Sequence, residues 1–223
     1  MIRFAARFTI LSVLVVIATL PTAADAIVRV ASFDYYPAIF RDTDGQVKGF
    51  FADLLAEAAR EEGWRLEFVH GSWAEGLERL RAGEVDLLTS VAYTEERDHF
   101  LDYGKEPLLT VWAEIYGSRT AGVTGLADLA GRRVAVMRND YNARLFHEHM
   151  EKFDIKCDYL ELASFHEVLS AVGRDEAAAG VVNSTFGIPM ARRYDVIHTE
   201  LHFEPFPVFM AVGEGKNAAL ISA

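Results

Sequence analysis

The chain has 223 residues, 51% of them hydrophobic and 12% aromatic, with 22 Lys and Arg against 33 Asp and Glu. That composition builds a packed core and argues against a disordered chain, and the length serves one large domain or two small ones. A formal net charge of −11 at pH 7 repels phosphate backbones and anionic lipid, which sets nucleic acid aside as a partner.

Arg3 and Arg7 form a short basic start, and residues 8–20 are almost uninterrupted in their apolar character. Ala24-Asp25-Ala26 then offers small residues at the two positions a signal peptidase reads. Residues 1–26 therefore read as a secretory signal cut after Ala26, which places the mature chain in the periplasm. The apolar run is short of the roughly 20 residues of a bilayer span, so a retained anchor is the weaker alternative.

Residues 28–33 alternate loosely as a strand, broken by Tyr35-Tyr36-Pro37. Asp42-Thr43-Asp44-Gly45 has the chemistry of a turn. Phe50, Leu54, Leu55 and Ala58 recur at helical spacing up to Gly63. Trp64, Leu66 and Phe68 alternate as a second strand. Ser72-Trp73-Ala74-Glu75 is a capping box that opens a helix with Trp73, Leu77 and Leu80 on its apolar side. Gly83 closes that helix, and residues 85–91 read as a buried strand. Residues 108–125 lack helical periodicity and read as a passage to a second set of elements.

That second set repeats the pattern. Residues 134–137 are a strand, and the following helix carries Leu145, Phe146 and Met150. Residues 159–162 are a strand, and Ser164-Phe165-His166-Glu167 is a second capping box. Residues 178–182 are a strand, and 185–193 a helix. Residues 203–212, interrupted by Pro205 and Pro207, read as a strand-like passage back. Alternating strands and helices argue for largely parallel sheets under helical cover. Two such lobes leave a cleft between them, a favoured place for a ligand. Residues 90–97, 139–142 and 183–185 each follow a strand directly, as cleft-lining segments of open α/β sheets do.

Arg97 is the most informative residue of these segments. It lies in the first turn of a short helix capped by Thr94, where the helix dipole favours anions rather than cations. Two partners can compensate: a surface carboxylate among Glu95, Glu96 and Asp98, or the carboxylate of a ligand held by the guanidinium fork. Cys157 is the sole cysteine, so the chain has no internal disulfide, and it reads as a small packing residue. His147 and His149 stand two apart on a helix and share no face, so they read as solvated surface rather than a zinc pair. Gly213-Glu214-Gly215-Lys216-Asn217 fails as a phosphate loop, because Met210 and Asn217 occupy positions that require Gly and Ser or Thr.

The run Asp86-Leu87-Leu88-Thr89-Ser90, then Thr94-Glu95-Glu96-Arg97, then Phe100-Leu101-Asp102-Tyr103 resembles a stretch of the bacterial extracellular solute-binding proteins, family 3. Gly49-Phe50-Phe51-Ala52-Asp53-Leu54-Leu55 is similar to that family's G-F-x-x-D-L motif. Residues 126–136 are similar to the opening of its second lobe. The three blocks stand in family order over most of residues 28–212.

The resemblance implies a two-lobed α/β periplasmic binding fold of type II. Each lobe would be a mostly parallel sheet flanked by helices, and two extended crossings would join the lobes. Lobe 1 is expected over 27–112, lobe 2 over 113–199, and a return crossing over 200–223 that leaves lobe 1 truncated, with apolar surface uncovered. It also implies capture of a small polar solute, amino-acid-like or an organic acid, by hinge closure. A monomer would serve an inner-membrane ABC permease or a signalling protein, with no cofactor, metal or catalytic residue.

By the same resemblance Arg97 grips the solute carboxylate, Ser90 offers a backbone and hydroxyl contact, and Tyr35 and Tyr36 lie where an aromatic covers the ligand. For both tyrosines, packing beside Pro37 is an equal alternative, and Trp73 is read as core. The chain departs from the family at three places. Ala92 replaces a small hydroxyl residue. Asn139-Asp140-Tyr141 replaces Gly-Ser-Thr, and Asp140, though able to cap its helix, repels an anion there. Asn183 replaces the aspartate that pairs with an amino group; it either bonds a polar group or caps the next helix. The competing reading is an enzyme on the same scaffold, dehydratase-like towards cyclic acids, or the remnant of a cell-wall lyase.

Overall fold

β1 (Ala26–Ser32) carries alternating small and branched side chains and becomes the inner strand of a first sheet. The computed structural model describes residues 26–222, so the secretory signal read over residues 1–26 lies, but for Ala26, outside the described residues. β1 is followed by a short hairpin, β2 (Phe40–Arg41) and β3 (Val47–Lys48), then α1 (Phe50–Glu62), β4 (Trp64–His70), α2 (Trp73–Ala82) and β5 (Leu87–Ala92). α3 (Glu95–Asp98), β6 (Leu101–Tyr103) and β7 (Leu109–Val111) complete the outward path. β1 pairs in parallel with β4 from Ala26↔Trp64 to Ser32↔His70, and with β5 at Val30↔Leu87. Asp86, the first residue of the family-like run, accepts hydrogen bonds from the backbone N–H and the guanidinium of Arg29, which pins the start of β5 against β1.

The capping box of α2 forms in both directions between Ser72 and Glu75. α1 turns its buried side one step away from the expected stripe. Phe51, Ala52, Leu55 and Ala59 are buried, whereas Phe50 and Leu54 are exposed. The phase is set at Gly49 (φ 113), whose Cα packs against the Ala38 carbonyl while Phe51 N–H donates to that same oxygen at 2.8 Å. The displaced side chains Leu54 and Ala58 line a hollow of about 450 Å³ on the outer face of this lobe, with Trp64, Leu108, Met210 and Leu220.

The second lobe holds β8 (Ala113–Gly117), β9 (Arg133–Met137), α4 (Tyr141–Lys152), β10 (Asp158–Leu162), α5 (Phe165–Gly173), β11 (Ala179–Asn183), α6 (Ser184–Met190) and β12 (Ile197–His202). Its sheet runs β10-β9-β11-β8-β12, and β13 (Phe206–Gly213) returns to the first sheet, ordered β4-β1-β5-β13-β6. Each sheet is parallel only on one side. β8 and β12 lie antiparallel to their neighbours, as does β13. The strands that carry the chain between lobes enter against the direction of the βαβ strands, which is why the parallel character stops there. At α5 Ser164 caps the Glu167 N–H, but Glu167 reaches back to Ala163 N–H instead of Ser164, so the expected box is only half formed.

A single residue, Trp112, separates β7 in the first sheet from β8 in the second. The return lies at residues 203–205, because residues 200–202, expected in that crossing, finish β12. The apolar cores do not stop at the boundary. Phe33, Tyr35 and Trp73 from the first lobe share one buried cluster with Met137, Phe165 and Phe186 from the second.

Candidate functional site

β5 delivers Ser90, with a left-handed φ of 61, and then Ala92 to the boundary between the lobes. Thr94 caps α3 by accepting the N–H of Arg97 at 3.1 Å. This short helix turns the Arg97 side chain inward, where only 7% of the residue is exposed. Its guanidinium donates to the carbonyl of Ala92 at 2.9 Å and, across the cleft, to the carbonyl of Asn139 at 2.8 Å. The indole of Trp73 lies under it, 4.9 Å from guanidinium carbon to ring centre, a favourable cation–π distance. Two carbonyls and an aromatic face thus hold the misplaced cation, which forms no ion pair with Glu95, Glu96 or Asp98. Burial lowers the pKa of Arg97 and the nearby Asp140 opposes that shift; an arginine stays ionised regardless.

The second lobe answers with the loop between β9 and α4. Asn139 is exposed and left-handed (φ 58), and contributes its carbonyl to Arg97. Asp140 stands at the N-cap of α4 without a side-chain capping bond; its two oxygens instead accept from Asn142 Nδ2 at 3.1 and 2.9 Å. Burial raises its pKa to about 6, with Asn142 and Arg97 pulling the other way. Tyr141 packs edge-on against Phe206 of β13, 4.6 Å between ring centres, which ties α4 to the returning strand.

Asn183 ends β11 and takes one of the two roles left open for it, capping the next helix. Its Oδ1 accepts the N–H of Thr185, capping α6, and the hydroxyl of Tyr35 at 2.7 Å from the first lobe. Tyr35 is 2% exposed, and burial raises its pKa. It is therefore both packed and part of the lobe contact. Tyr36 goes elsewhere: it is 41% exposed and stacks edge-on against Phe40, away from the cleft. The peptide bond between Tyr36 and Pro37 is cis.

These groups enclose a cavity of about 20 Å³ between the lobes, room for about one water molecule. Tyr35, Ser90, Ala92, Arg97, Asp140, Tyr141 and Asn183 all line it. Phe33, Trp73, Met137 and Phe165 supply an apolar wall. Sequence reasoning had placed Trp73 and Phe165 on helix core faces; they are buried and line the cavity as well. Asn142 fell inside a strand-end segment but carried no assigned role. Two wider hollows adjoin the cavity. One of about 200 Å³ shares Phe33, Trp73 and Phe165, and one of about 340 Å³ shares Arg97, Asp140 and Tyr141. His147 and His149 are half-buried rather than solvated, packed against Tyr159 and Phe203 respectively.

Residues 27–121 match the bacterial extracellular solute-binding proteins, family 3. A probable histidine-binding protein of Neisseria gonorrhoeae is 32% identical over 77 residues, a match that spans 34% of this chain and 29% of that relative. A histidine kinase sensor domain with similarity to periplasmic binding proteins superposes with a TM-score of 0.76 at 26% identity, covering 87% of this chain and 85% of that one. The arginine-bound form of truncated ArgBP from T. maritima superposes at 0.77 with 22% identity, over 88% and 92% of the two chains. The fold is that of the two-lobed periplasmic binding proteins.

Proposed function

We propose that this protein is a periplasmic solute-binding protein. It captures a small polar solute between its lobes by hinge motion and breaks no bond in doing so. The observation that carries the reading is the buried guanidinium of Arg97, which sits where the lobes meet and donates to a carbonyl on each. A solute carboxylate can take those donors in a bidentate grip. The apolar wall of Phe33, Trp73 and Phe165 then packs the rest of the solute. A cavity of about 20 Å³ is too small for such a guest, so entry requires the lobes to part.

The relatives support this reading: one is named for histidine binding and another is arginine-bound. The resemblance to a kinase sensor domain supports a partner that reads the closed form, and a membrane permease that accepts the solute is the other destination. The chain works as a monomer in both.

Thermal unfolding across a panel of amino acids, organic acids and amines tests the proposal. A true ligand at a hundred times its Kd adds about 2.7 kcal/mol of stability. Arg97→Ala should abolish the shift. A flat response to the whole panel, or turnover of a prephenate-like cyclic acid, overturns it.

A further inference from the structure

The cavity is lined by groups of opposite hydrogen-bonding sense. Arg97 supplies donors. On the acceptor side, Asn142 is 2% exposed and lines the cavity with Asp140. Its Nδ2 is committed to both oxygens of Asp140, and its Oδ1 is buried without any partner. A buried acceptor without a donor is unfavourable, and the residue that carries this one lines the cavity. Asp140 is the single carboxylate lining that cavity among the described residues. At the end of β11, the Asn183 Oδ1 already accepts from Tyr35 and Thr185.

We infer that Asp140 and Asn142, at the start of α4, form the subsite that reads a cationic N–H donor on the solute whose carboxylate lies on Arg97. The inference rests on the solute-capture reading and narrows it: the cleft selects a zwitterion over a plain organic acid. It also moves recognition of the solute's positive charge from the end of β11 to the second-lobe loop after β9. The electrostatics follow from the placement. An anion on Arg97 meets the negative charge of Asp140 in the same cavity and is repelled. A second, positive group on the same solute turns that repulsion into attraction and gives the Asn142 Oδ1 its missing donor. Asn142 is the positioning residue here, because it holds both carboxylate oxygens.

Isothermal titration with matched pairs tests the assignment. The probes are L-phenylalanine, L-leucine, L-histidine and L-arginine, each against the analogue in which a hydroxyl replaces the α-ammonium. The expected result is that the amino acid that binds best does so at least roughly tenfold more tightly than its hydroxy analogue, the scale of a lost charge-assisted hydrogen bond. Asp140→Asn should erase that preference and strengthen binding of the hydroxy acid. The wild-type comparison stands without the variant. Equal binding of the two classes, or a preference that survives in Asp140→Asn, overturns the inference and leaves solute capture standing. Binding of neither class removes both.

Discussion

The hydrogen bond between Tyr35 and Asn183 crosses the cleft, and its removal can be graded. Tyr35→Phe deletes the 2.7 Å contact. Asn183 keeps the Thr185 N–H on the same oxygen, so no acceptor is orphaned, and the cost is that of one intramolecular hydrogen bond, about 1 kcal/mol. Asn183→Ala removes that bond and the cap of α6 together. The lost cap is worth about 1 kcal/mol more. The Tyr35 hydroxyl is left to the neighbouring Ser90 and Thr185 hydroxyls, both within its reach. The single change at 183 should therefore cost about 2 kcal/mol, twice the change at 35. Urea denaturation reads both as shifts of the midpoint at unchanged slope. Because the bond is shared, Tyr35→Phe should cost less in the Asn183→Ala background than in the wild type, a positive coupling of up to about 1 kcal/mol. Fully additive losses in that cycle would refute the bridge and leave Tyr35 as packing only.

Asp140 gives a signed pH dependence. Its pKa is raised to about 6, first by burial, above the ordinary carboxylate value. The stability it contributes is thus present below the unfolded value and lost as the pH rises through 6. The groups facing it are Arg97 from α3, Tyr35 from the first lobe, Asn142 on its own helix, and Glu96, Arg144 and His147 at the rims. Asp140→Asn should raise the urea midpoint at pH 8 and leave it nearly unchanged at pH 4; the opposite order defeats the account. Gly173→Ala places a Cβ against the Tyr194 carbonyl oxygen. Backbone cannot swing aside as a side chain does, so we expect a loss of roughly 1–3 kcal/mol, seen as a lowered thermal midpoint; a neutral result would mean the turn after α6 is free to move. Arg97→Lys should keep the charge but lose the planar fork, weakening solute binding roughly tenfold or more, while equal affinity by titration would deny a bidentate grip.

Most of the element order was legible because periodicity and caps agree locally. Ser72 with Glu75, Thr94 before Arg97, and Gly83 each mark a boundary by a local rule that the structure obeys. The helix phase of α1 was not legible, since both Phe50 and Phe51 are apolar and only the long-range contact of Gly49 with Ala38 selects between them. The mixed direction of the sheets escaped for a related reason. β8, β12 and β13 read as strands or passages in sequence, but strand direction depends on pairing partners far along the chain. At the site, the motif pointed to Arg97, Ser90 and Asn183, all of which line the cavity. Tyr36 was indistinguishable from Tyr35 in the sequence, yet one ring is buried at the cleft and the other lies exposed against Phe40. Asn142 carried no motif at all; its orphaned oxygen is a fact of packing.

Two of the five N–H donors of Arg97 are engaged before any guest arrives, by one carbonyl from each half of the molecule. Occupancy that draws on either of those donors is an exchange and not a simple gain. An incoming carboxylate that takes the donor now spent on Asn139 also releases a strut between the halves, so the affinity measured is a difference between two similar grips. On the proposed capture of a solute at Arg97, chemical recognition and the angle between the halves would be read by one side chain, so that the bound fraction and the shape of the molecule would vary together.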